Sequence, residues 1–158
     1  MQPAAILSPE RLRAANINPV TGLATDYLNH YNEVAMLVAA MADVPEMREA
    51  VLAWRPLGYP THFRRSGFSE RGLAIAAYVL ASAQVKREFL AAQAELDARI
   101  TLLQQRLVDA TGQSLDLAAE AASIFADIAR LGSVINGGKA APLLQQSAEQ
   151  DLVDSLFA

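Results

Sequence analysis

The stretch SERGLAIAAYVLASAQVKREFLAAQAELDARITLLQQRLVDA, residues 69–110, decides the fold. It holds no proline, and its one glycine, Gly72, lies near the start, just behind the helix-opening pair Ser69 and Glu70. Phe89, Leu96, Ile100, Leu103, Leu107 and Ala110 step by sevens, fours and threes, the seam of a helix packed along another at a shallow angle. Forty residues of helix span about 60 Å, more than a compact domain of this size needs. Two outcomes follow: the helix breaks near Ser82, or it extends into a hairpin that pairs with a second copy.

Outward from this segment the pattern stays helical. Leu115, Ala118, Ala122, Phe125, Ile128 and Leu131 form another stripe after Thr111 and Gly112. Upstream, Ser8, Pro9 and Glu10 read as a cap, a first-turn proline and a first-turn acid, so a short helix runs to about Ala15, followed by a loop over 16–22. Leu23, Tyr27, Val34, Val38 and Met41 recur at helical spacing across 23–42. Asp26, Asn29, His30 and Glu33 share the other face, and the second half is expected to be buried on all sides. Asp43, Pro45 and Glu46 restart the chain as a helix through Met47, Val51 and Trp54. RPLGYPTHFRRSGF (55–68), with two prolines and two glycines, reads as an irregular connection, and INGGKAAP (135–142) as a flexible break before a last weak helix.

The chain has 158 residues, one domain's worth, and is 53% hydrophobic with only 6% aromatics, which together favour helix over sheet. The expected fold is an all-α bundle built on a long antiparallel helical hairpin, residues 70–110 against 114–135, with 23–42 packed across it. Residues 1–136 form the bundle, and 137–158 a linker with an amphipathic peptide. Without cysteine there is no disulfide, thiolate metal site or cysteine nucleophile. A net charge of −4 without a basic run argues against nucleic acid, and no stretch reaches the ~18 apolar residues of a membrane span. A cytoplasmic location is the simplest expectation, and the exposed seams favour a homodimer.

Two short runs carry functional chemistry. In the tail EQDLVDSLFA (149–158), Leu152, Val153, Leu156 and Phe157 fall on one helical face, surrounded by Glu149, Asp151 and Asp154. Apolar anchors inside an acidic rim suit a peptide that lies in a groove on a basic partner surface. The same pattern also suits a terminal helix folded back onto the bundle. In DATGQ (109–113), Asp109 and Gln113 stand four positions apart, on one face if helical. Thr111 and Gly112 also read as a plain helix stop.

The tail resembles the C-terminal peptide by which the chemotaxis phosphatase CheZ docks on the receiver protein CheY, and is similar to the N-terminal peptide of the flagellar switch protein FliM. DATGQ resembles the D-x-T-G-Q run of CheZ, whose Asp and Gln form its active site. The resemblance implies that Gln113 orients the water attacking the receiver's aspartyl phosphate, while Asp109 pairs with the receiver's lysine. A carboxamide can place water without ionising, so catalysis is then positioning. No cofactor of the chain's own is implied, since any magnesium belongs to the receiver.

A second constellation sits upstream. Asp26, His30 and Glu33 share a face, and with His62 they could bind a small ligand or a divalent cation. They could equally form a polar seam between helices. Arg55, Arg64, Arg65 and Arg71 could bind an anionic partner. The preferred reading is that they neutralise Asp26 and Glu33 across the fold. Standard enzyme signatures are absent, which leaves a structural adaptor without catalysis as a third reading.

Overall fold

The computed structural model describes residues 7–109 and 115–138. Within them are seven α-helices and no strand. None of these helices is long and apolar enough to cross a membrane.

Helix α1 spans Pro9–Ala14. Ser8 caps it, its hydroxyl accepting the Arg11 N–H at 3.3 Å. The helix ends because Asn16 turns left-handed at φ 61°, a conformation asparagine tolerates. That turn lets Ile17 N–H reach the Leu12 carbonyl at 2.8 Å while Asn16 N–H reaches that of Arg13, and the apolar Ile17 tucks into the core. The following loop is pinned from within and from outside. Asn18 Oδ1 accepts the N–H groups of Val20 and Thr21, and the Thr21 hydroxyl donates to the Ile135 carbonyl at 2.7 Å. Gly22 sits at φ 78°, and a Cβ there would lie 2.9 Å from the Ala77 carbonyl oxygen. Only glycine fits both constraints.

A 3-10 turn, Thr25–Tyr27, leads into α2, Leu28–Met41. Leu23, Tyr27, Val34, Val38 and Met41 are buried, as the spacing anticipates, and Tyr31 and Ala35, outside the expected stripe, are buried beside them. The second half is not enclosed on all sides, however, because Met36 is 63% exposed. Helix α2 packs on α7, Leu117–Ile135, and on α3, Met47–Ala53, which leaves a third face open.

The segment 55–68 is not an irregular connection. It contains α4, Tyr59–Arg65, with proline in its first turn, where the missing N–H costs nothing. One turn apart, Tyr59 and Phe63 are both buried, and the helix packs on α5, Arg71–Val79. The long segment does break at Ser82. Lys86 donates to the Val79 carbonyl at 2.6 Å, closing α5, and the Ser82 hydroxyl accepts the Val85 N–H, opening α6 over Ala83–Asp109. Phe89, Leu96, Ile100 and Leu103 are buried along α6, and Leu107 is half-buried, as the seam requires.

Asp116 caps α7 by accepting the Ala119 N–H. Its buried face is Ala121, Ile124, Ile128, Leu131 and Ile135. Ala118, Ala122 and Phe125 of the expected stripe are exposed instead. The helix is apolar nearly all round, so its spacing supports two stripes, and the inward one packs on α2 and α6. Asp127 is buried on the α6 side between Arg99 and Arg130. Gly132 admits the side chain of Leu28, whose Cδ1 would lie 3.3 Å from a Cβ. The helix closes on Gly137 and Gly138, both left-handed, with Gly138 N–H on the Ser133 carbonyl at 2.7 Å.

Candidate functional site

Two regions hold the side chains singled out in the sequence. The first is an aromatic cluster where α2, α3, α4 and α6 meet. The start of α2 places Tyr27, His30 and Tyr31 toward the interior, and the 30 and 54 rings stack with centroids 4.7 Å apart. Trp54 also donates to the His30 carbonyl at 3.2 Å. His30 Nε2 accepts the Leu57 N–H at 2.9 Å, which places a neutral imidazole's proton on Nδ1. Burial, and secondarily the neighbouring His62, lowers the His30 pKa to about 4.

The hydroxyls of the cluster are equally committed. Tyr27 donates to the Leu57 carbonyl at 2.6 Å and accepts from Gln93, and Tyr31 donates to Asp97 at 2.7 Å. Tyr59 accepts the Ala24 N–H at 2.9 Å. Burial pushes Tyr27 up to about 12 and raises Tyr31 and Tyr59 as well. It also raises Asp97, against the hydrogen bond from Tyr31. Nothing in the spacing marks out Gln93 and Asp97. They stand four apart on the long helix, and only the packing of α6 under Tyr27 and Tyr31 makes them partners.

The constellation Asp26, His30, Glu33 and His62 therefore splits. Asp26 and His62 come together at 3.1 Å, with Asn29 donating to the other carboxylate oxygen. His30 points inward with its Nε2 lone pair occupied, and Glu33 is exposed. No group of three or more His, Cys, Asp or Glu side chains that could hold a metal occurs among the described residues. The arginines of 55–71 do not neutralise Asp26 or Glu33 either. Arg55 donates to the carbonyls of Leu52 and Trp54, Arg64 to Thr61, and the residue answering Asp26 is His62.

The second region is the end of α6. Asp109 closes that helix and is exposed, as is Val108 beside it at 62%. Arg48 of α3 donates to the Leu107 carbonyl at 3.0 Å, tying the last turn to the body. Beside Asp109 runs a groove of about 440 Å³ lined by Leu52, Arg55, Pro56, Gln104 and Val108 among others. Gln113 and the tail residues Asp151, Leu152, Val153, Asp154, Leu156 and Phe157 lie outside the described residues.

Comparison of the chain with family models, with curated proteins and with solved structures finds no match.

Proposed function

We propose that this chain is a signalling protein that binds a response-regulator receiver through Asp151, Leu152, Val153, Asp154, Leu156 and Phe157, and that Asp109 and Gln113 hasten loss of the receiver's phosphate. The observation that carries this reading is the placement of Asp109. It stands exposed at a helix end that Arg48 holds in place, beside a groove with both apolar and cationic lining. A receiver could approach there without disturbing the core. The chemistry needs only placement: Asp109 meets a cation of the receiver while Gln113 orients water against the aspartyl phosphate.

On this reading α6 and α7 form the antiparallel hairpin of the bundle, and their exposed apolar residues, Leu90, Leu102 and Phe125, join two copies in a cytoplasmic homodimer. The test is binding of purified receiver domains from the same genome to the full chain and to a chain ending at Ala148. Retention of one receiver by the full chain alone supports the reading. Equal binding by both chains removes the role of the tail.

A further inference from the structure

A polar cleft that shares no lining residue with the groove beside Asp109 carries unspent binding capacity. Arg13 at the end of α1, Asn16 just beyond it, Asn29 in the first turn of α2 and Asn136 after α7 converge with Asp26 on a concavity of about 500 Å³. That volume lies within the usual range of small-molecule sites. The side chains of Arg13, Asn16 and Asn136 make no hydrogen bond to any described residue. Asn29 spends one N–H on Asp26 and keeps its carbonyl. Phe68, half-buried, lines the cleft together with the buried Ile17 and Leu23.

We propose that this cleft binds a monosaccharide carrying one anionic group. Each carboxamide offers both donors and an acceptor, which is what a hydroxyl requires. Asp26 only accepts, so hydroxyls donate to it and a second anionic group on the ligand is repelled. Arg13 is the one cation of the lining among the described residues, and its fork pairs with a carboxylate or a phosphate in charge-assisted bonds about twice as strong as neutral ones. Phe68, which keeps part of its surface exposed in the lining, suits the C–H face of a sugar, while Ile17 and Leu23, 1% and 0% exposed, only back the wall behind it. Neither the receiver nor Asp109 enters this inference, so the two stand or fall separately.

The test is an amide chemical-shift titration of the full chain with glucuronate, glucose 6-phosphate and glucose. Shifts at residues 13–29 and 136–138 are expected with the two anionic probes, and glucose binds about tenfold more weakly, the worth of one charge-assisted contact. The stronger of the two anionic probes identifies the group as carboxylate or phosphate. Arg13→Gln reduces the anionic probes to the level of glucose, and Asn136→Ala weakens all three. Absence of shifts with every probe at millimolar concentration, equal affinity for glucose and glucuronate, or an Arg13→Gln chain that binds glucuronate as the wild type does would overturn the proposal. If Arg13→Gln does not fold, the wild-type preference for glucuronate over glucose decides alone.

Discussion

The aromatic cluster and the end of α6 are opposites. In the cluster every conspicuous polar group is spent on a neighbour: His30 on Leu57, Tyr31 on Asp97, Tyr27 on Leu57 and Gln93. At the end of α6, Asp109 and Val108 face solvent. In sequence the cluster looks the richer in chemistry, because DYLNHYNE carries a histidine, two tyrosines and two acids within eight residues. In space the histidine and the two tyrosines are consumed in holding α2 against α3, α4 and α6, while Asp26 and Glu33 stay at the surface. Titratable residues whose hydrogen bonds are met inside the core are structural, and candidates for function are those that keep capacity at the surface.

Substitutions can break this contrast. The largest effect is expected from Phe89→Ala. Phe89 is fully buried against Tyr27, Tyr59 and Tyr78, and its removal costs about 3–5 kcal/mol in urea unfolding. Next comes His30. Its folded pKa lies below the unfolded value, so the unfolded chain binds more protons between the two. Stability is therefore whole above about 6.5 and falls as pH drops toward 4, by up to about 3 kcal/mol. Asp97, raised in the folded state, works in the opposite sense. Thermal melts across pH 4–7 should show a shallower loss for His30→Gln than for wild type, and parallel curves would mean that His30 is not held neutral.

Gly22→Ala is expected to cost about 2 kcal/mol by the same unfolding measurement, from its left-handed backbone and the close Ala77 carbonyl. Asp109→Ala should move stability least, within about 0.5 kcal/mol, because an exposed terminal side chain has little to lose. A large destabilisation there would erase the distinction between the two regions.

The fold was legible where one face alone could be buried. The α6 seam, the Ser8 cap and the apolar positions of α2 follow from spacing and capping. In the α7 stripe Ile128 and Leu131 are buried as expected, but Ala118, Ala122 and Phe125 fall on the outer side, because alanine covers both sides of that helix and spacing cannot choose between equivalent faces. Helix α4 escaped because Pro56, Gly58 and Pro60 read as loop punctuation. A proline in the first turn starts a helix as readily as it ends one. Of the site residues, the pairing of Asp26 with His62 was legible as a possibility, whereas the inward turn of His30 depends on a backbone N–H at Leu57 that no side-chain pattern reveals.

The most direct measurement is phosphate release from a phosphorylated receiver that the chain binds, made with wild type, Gln113→Ala and a chain ending at Ala148. Acceleration by wild type that falls to the spontaneous rate in both altered chains is the predicted result. One common rate in all three would contradict the receiver-directed role of Asp109, Gln113 and the tail.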